Sequence, residues 1–157
     1  MKILVLIRHA EAENNLEKTS DFNRPLTTTG KSDAVKMAGL LKKLGILKPF
    51  FVSSLALRAL TTANIFSNTF NAEEPEKNKR IYEAEVEALL AVINSIDNQK
   101  QTAALVAHNP GISNLLYCLT GRMTTMQTCA FAIITFDKEH WNEVSAGTGK
   151  LLQYSFP

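Results

Sequence analysis

Cysteine is scarce in this chain, and long apolar runs are missing. Only Cys118 and Cys129 occur in 157 residues, without CxxC spacing and without a nearby cluster of metal-ligand types. This excludes a disulfide-framed miniprotein and predicts two buried, reduced thiols. No apolar stretch approaches the roughly 18 residues of a membrane-spanning helix. Nor does the amino terminus resemble a secretory leader. Lys2 precedes a short apolar run, which Arg8, His9 and Glu11 interrupt before any small-residue cleavage site. Charge of one sign is also lacking: a net +2, with no long Lys/Arg run, leaves no footprint for nucleic acid. Repeats, low-complexity tracts and an interdomain linker are absent from the sequence too. The expectation is a cytoplasmic protein with neither a membrane nor a nucleic-acid partner. Its 157 residues suit one domain, 1–157, able to bury a core without metal or disulfide staples.

What is present begins almost at the first residue. Ile3-Leu4-Val5-Leu6-Ile7 is a continuous apolar run, the pattern of a strand buried on both faces of a parallel sheet, and it delivers Arg8 and His9 to the sheet edge. In open α/β sheets, ligands bind just outside the carboxyl ends of strands. A polar segment, Glu11 to Asn23, leads to Pro25, which fixes a turn, and Thr27 or Thr28 can cap a helix running from Lys31 to Leu44. Pro49 to Ser54 reads as a second strand, followed by a helix through Ala59, Ala63, Ile65 and Phe66. Asn71 to Arg80 reads as an exposed, mobile loop, and a third helix carries Val86, Leu89, Leu90, Val92 and Ile93. Ala103 to Ala107 is another buried strand, ending in His108-Asn109-Pro110-Gly111, with a helix continuing to Leu119. Ala130–Phe136 and Trp141–Ser145 read as strands, and Leu151–Phe156 as an edge. Strands alternating with helices predict a three-layer α/β/α sandwich with a mainly parallel sheet and a more antiparallel carboxyl-terminal part.

Two buried strands thus end in a histidine, His9 and His108. If the strands are neighbours, both imidazoles emerge at one edge. Arg58, one turn into the second helix, belongs near the same edge. Two arginines and two histidines in one pocket repel one another and resist desolvation, so an anion is the missing partner. A tetrahedral phosphoryl group suits arginine forks arriving from two directions.

These residues carry a resemblance to the histidine phosphatase superfamily, and within it to the small SixA-type phosphohistidine phosphatases. The matching pieces are Leu6-Ile7-Arg8-His9-Ala10, Asp21-x-x-Arg24-Pro25-Leu26-Thr27-x-x-Gly30 and Ser54-x-x-x-Arg58-Ala59-x-x-Thr62-Ala63. Tyr82-Glu83-Ala84 and Ala107-His108-Asn109-Pro110-Gly111 complete the set, so the likeness spans residues 3 to 111 in family order. It implies a phosphoglycerate mutase-like fold, His9 as nucleophile, and Arg8, Arg58 and His108 as the phosphate pocket, with no cofactor or metal. Glu83 stands where many relatives carry the proton donor; Glu11 and Asp21 are alternatives, and an acidic residue in the third helix's first turn is the structural reading of Glu83. Asn15 matches a phosphate-contacting asparagine of the wider superfamily; its alternative is a solvated loop residue. Asp21 and Arg24 are read either as substrate contacts or as a pair bracing the turn at Pro25. Ser54 and Thr62 are read as capping or packing residues, and His140 as surface.

Short connections leave little to roof a pocket, which suits a phosphorylated side chain presented by a protein, such as phosphohistidine on a phosphotransfer domain. A small-molecule phosphomonoesterase, acting for instance on a sugar phosphate, is the alternative. A non-catalytic phosphate- or phosphoprotein-binding module is the third reading. In either enzymatic case inorganic phosphate is the product.

Overall fold

Residues 1–14 and 17–157 are described by the computed structural model. The central strand is the first one. β1 (Lys2–Arg8) has Leu4, Val5, Leu6 and Ile7 fully buried, as its unbroken apolar run requires. On one side it pairs in parallel with β4 (Thr102–Ala107), in a register that sets Arg8 opposite Ala107. β2 (Phe50–Ser53) continues the parallel part beyond β4, and β3 (Glu76–Lys77) extends it by two residues. On the other side β5 (Phe131–Phe136) and β6 (Gly149–Ser155) run antiparallel, giving the order β3-β2-β4-β1-β5-β6. The sheet is mostly parallel with an antiparallel carboxyl-terminal part, as the sequence predicts.

Alternation along the strands divides the core into two layers. Leu4 and Leu6 of β1, with Ala103 and Leu105 of β4, meet α3 (Val86–Asn94) and α4 (Gly111–Thr120) through Leu89, Val92, Ile112 and Leu115. Val5 and Ile7, with Ala104 and Val106, meet α1 (Thr28–Lys43) and α2 (Leu57–Thr69) through Met37, Leu41, Ala59 and Phe66. Full burial of a leucine, isoleucine or phenylalanine stabilises the fold by about 1.5–3 kcal/mol. The result is the expected three-layer sandwich. Thr27 caps α1, its hydroxyl oxygen accepting the Gly30 N–H at 2.9 Å.

Four local expectations are corrected. Trp141–Ser145 is not a strand; Trp141–Glu143 is a 3₁₀ turn. Alternating apolar and polar residues fit either form, and tertiary hydrogen bonds choose. The Trp141 backbone N–H donates to Asn98 Oδ1 at 2.8 Å and its indole N–H to the Lys100 carbonyl at 2.7 Å, while Asn94 Nδ2 donates to the Trp141 carbonyl. Glu76 and Lys77, inside the expected loop, pair with Val52 and Ser53, because β2 offers an edge there. Glu83 lies before α3, which starts at Val86, so the first-turn reading of this residue does not hold. Cys129 is buried, but Cys118 is only half-buried; both are free thiols. Lys2 is fully buried, its ammonium donating to the carbonyls of Asn98 and Lys100 at 2.5 and 3.2 Å. No helix among the described residues is long and apolar enough to cross a membrane.

Candidate active site

The register of β1 against β4 decides the site. Because Arg8 pairs with Ala107, the next residues of the two strands, His9 and His108, leave the sheet side by side. The His9 N–H still bonds the Ala107 carbonyl at 3.2 Å, and the two imidazole centroids lie 5.1 Å apart. Around them opens a cleft of about 470 Å³. Arg8 and His9 enter it from β1, Arg58 from the first turn of α2, His108 and Asn109 from the end of β4, and Tyr82 and Glu83 from the segment before α3. Glu11, Asp21 and Arg24, all from the connection between β1 and α1, complete its rim with Ala12 and Thr128.

Each histidine is fixed. His9 Nδ1 lies 2.8 Å from the Ala10 carbonyl. A carbonyl only accepts, so the proton sits on Nδ1 and the lone pair on Nε2. Burial pushes the His9 pKa down to about 4, and the charges of Arg58, Arg8 and Arg24 add to the shift against the opposing Ala10 bond. His108 Nε2 lies 2.8 Å from Ser54 Oγ; burial, then His9 and Arg58, hold its pKa down to about 3. Both rings are therefore neutral near pH 7.

The arginines are held from behind. Arg8 Nη1 donates to the Met126 carbonyl at 2.9 Å, which also accepts from Asn109 Nδ2. Arg58 is 5% exposed. Its Nη1 donates to the Asp21 carbonyl at 2.6 Å and its Nη2 to the Asp21 carboxylate at 3.1 Å. Asp21 is a hub, accepting also from Tyr82 Oη at 2.6 Å and Arg24 Nε at 3.0 Å. The Tyr82 hydrogen bond, with Arg58 and Arg24, holds its carboxyl down to about 2 despite partial desolvation. Three buried side-chain nitrogens have no partner among the described residues: Arg8 Nε, Arg58 Nε and His108 Nδ1. All belong to residues of one cleft, and a buried donor without an acceptor is costly unless a ligand supplies one.

Arg8, His9, Arg58, His108 and Glu83 all line the one cleft, with Glu11, Asp21 and Arg24 on the same rim. Asn15 lies outside the described residues. Asp21 and Arg24 do form the bracing pair, but Asp21 extends that brace to Arg58. Glu83 is exposed, at a left-handed φ of 52°, and its carboxylate has no hydrogen bond among the described residues. Glu11 accepts the Thr27 hydroxyl at 2.8 Å. Thr62 is buried, donating to the Arg58 carbonyl and accepting the Ala10 N–H, so its packing role also ties α2 to the end of β1. His140 is a surface residue. Sequence reasoning missed Tyr82 and Asn109 as parts of the site, although both sit inside motif segments beside Glu83 and His108. Thr128 and the Met126 carbonyl come from the connection between α4 and β5, where no motif signals them.

Comparison with known proteins bears on the fold and the family. An uncharacterised chloroplastic protein of Arabidopsis thaliana is 27% identical over 161 residues, covering 93% of this chain and 72% of that one. A 2,3-bisphosphoglycerate-dependent phosphoglycerate mutase of Pelagibacter ubique is 37% identical over 91 residues, covering 54% of this chain; the match spans only 38% of the mutase. The solved structure of the protein histidine phosphatase SixA complexed with tungstate superposes with a TM-score of 0.84 at 24% identity, covering 99% of this chain and 97% of that one, so the fold is shared. The family model for the histidine phosphatase superfamily (branch 1) matches residues 4–91, more than half of the chain. With its two strand-end histidines and paired arginines inside or beside that match, the chain belongs to the histidine phosphatase superfamily.

Proposed function

We propose that this protein is a phosphatase that works through a phosphohistidine on His9 and takes phosphohistidine on a protein as its substrate. The observation that carries the chemistry is the trio of buried nitrogens without a partner among the described residues, Arg8 Nε, Arg58 Nε and His108 Nδ1, in one cleft with an imidazole whose Nε2 has no hydrogen bond among them. The His9 Nε2 lone pair attacks phosphorus in line, forming a P–N bond while the bond to the leaving atom breaks and a proton passes to the leaving group from an acid on the cleft rim. The three donors hold the phosphoryl oxygens as charge shifts, the positioning and electrostatic contribution that dominates phosphoryl transfer. Water then attacks phosphorus, its proton returns to the acid's conjugate base, and the P–N bond breaks. Inorganic phosphate leaves and His9 is neutral again. No step of this route uses a metal or cofactor.

Access supports a protein substrate. The cleft is open, the Ala12–Leu26 bridge ties the two ends of the connection from β1 to α1 together, and Phe22 and Leu57 leave apolar surface beside Asp21 and Arg58. A phosphoramidate also needs little help in leaving. A small-molecule phosphomonoester is the second reading; Glu83, a rim carboxylate with no hydrogen bond among the described residues, supports it as the group that would protonate an alkoxide. Asp21 is the poorer proton donor of the rim, since three side chains hold it ionised.

Turnover of a phosphohistidine phosphotransfer domain, p-nitrophenyl phosphate and sugar phosphates, compared in EDTA, tests the substrate. The expected result is a much higher kcat/KM on the protein; a preference for a sugar phosphate transfers the function to the second reading. Phosphate bound without turnover of any of them would make the chain a binding module. For the nucleophile, His9→Ala is expected to stay folded and lose all turnover, with no acid-labile phosphate retained after quenching. Hydrolysis surviving in that variant removes His9 from the role.

A further inference from the structure

We infer that Ser54 is a positioning residue, fixing His108 in the tautomer that carries its proton on Nδ1 and so presents a donor to the phosphoryl group. The inference rests on the phosphatase reading for its catalytic meaning, and on hydrogen-bond accounting for its chemistry. Ser54 is fully buried at the end of β2, where its own N–H bonds the Val106 carbonyl of β4. Its hydroxyl oxygen accepts the Ala56 N–H at 3.2 Å, a partner that can only donate. The hydroxyl hydrogen needs an acceptor, and the one within reach among the described residues is His108 Nε2 at 2.8 Å. Nε2 must then be bare, and a neutral imidazole with a bare Nε2 has its hydrogen on Nδ1. Nδ1 is the atom left buried and unpartnered. The opposite tautomer would strand the serine hydrogen and offer an incoming phosphate oxygen a lone pair instead of a donor. An outer partner that sets which ring nitrogen carries the proton is a recurrent device around functional histidines. Ser54 does not cap α2, whose N-cap is Ala56 with no side-chain cap hydrogen bond, so the strand-to-helix turn gains its task from His108.

The direct test needs no substrate. Two-bond ¹H–¹⁵N correlation of the wild-type protein at pH 7, simplified by a total of three histidines, is expected to show His108 with a protonated Nδ1 and a bare Nε2. A protonated Nε2 with a bare Nδ1 overturns the proposal. Titrating inorganic phosphate should shift the Nδ1 resonance and leave Nε2 bare; a flip to the other tautomer on binding also overturns it. Ser54→Ala is expected to mix the tautomers, and both phosphate affinity and kcat should fall by about tenfold to a hundredfold. Ser54→Thr, which keeps the hydroxyl, should retain the tautomer. A folded Ser54→Ala protein with wild-type tautomer, phosphate affinity and kcat refutes the positioning role. A wild type that hydrolyses no phosphoryl substrate, yet shows this tautomer and phosphate response, removes the phosphatase reading and leaves the Ser54–His108 assignment standing.

Discussion

His9 and His108 are kept neutral by burial first, with the Arg58 charge adding to it at both rings, and the sign of that shift has two consequences. Both folded-state pKa values lie below the ordinary 6.5, so the unfolded chain takes up protons that the folded chain refuses. Their contribution to stability is complete above about pH 6.5 and is lost as pH falls through the folded values near 4 and 3. Thermal melts should therefore show Tm dropping from pH 6.5 to pH 4, and the double variant His9→Gln/His108→Gln should lose less over the same interval. Equal losses in both proteins would contradict the assignment. In catalysis, kcat/KM on p-nitrophenyl phosphate should stay high down to mildly acidic pH and fall through an apparent value near 4 as the pair takes up its first proton. An acid limb centred at 6.5 would mean that the rings are solvated. Arg58 illustrates a second residue-scale point: two of its nitrogens serve Asp21 while a third has no partner among the described residues. A lysine keeps the charge but not that fork, so Arg58→Lys is expected to lower kcat/KM about a hundredfold. A loss under threefold would show that charge alone suffices.

Between elements, two glycines set distances that the site depends on. Gly111 opens α4 so close to the preceding loop that a Cβ there would stand 2.2 Å from the Ala84 carbonyl. That contact seats the Tyr82–Glu83 segment against the residues that follow His108. Gly111→Ala must push the two apart. The expected cost is about 1–3 kcal/mol of stability, with a larger proportional loss of kcat than Glu83→Gln causes on the phosphohistidine substrate. Gly30 has the same relation to the Glu11 carbonyl, at 2.1 Å, and holds α1 against the chain leaving His9. Denaturant melts and steady-state kinetics on the alanine variants would check both, and unaltered kcat in Gly111→Ala would show that the segment before α3 is not under that control.

For the whole molecule, ligand linkage gives the broadest check on the site. An anion satisfying three orphan donors binds the folded state and not the unfolded one. At a phosphate concentration one hundred times Kd, stabilisation should reach about 2.7 kcal/mol, raising Tm by roughly 5–10 °C for a chain of this size. Scanning calorimetry with phosphate against equal ionic strength of chloride measures it. No difference between the two salts would empty the proposed pocket of its anion. In Arg58→Ala the phosphate increment should shrink to less than half.

Periodicity and punctuation made most of the architecture legible. The unbroken run Ile3–Ile7 reads as a strand buried on both faces, and the strand-helix alternation behind it leads to a layered sheet. The motif residues Arg8, His9, Arg58 and His108 could be assigned to one sheet edge because strand ends are where such a sheet exposes side chains. The sequence could not supply what depends on partners far along the chain. Trp141–Glu143 became a 3₁₀ turn because Asn94, Asn98 and Lys100 bind its backbone and indole. Lys2, by type a surface residue, is buried because two loop carbonyls replace its water. Asp21 is open in the sequence between a turn brace, a substrate contact and a proton donor, and only the contact with Arg58, 37 positions away, shows what it holds. The tautomer of His108 rests on a serine 54 positions before it. Local pattern determines which elements form and which edge they end at. The hydrogen-bond partner of each polar atom depends on distance in space, which only the folded chain decides.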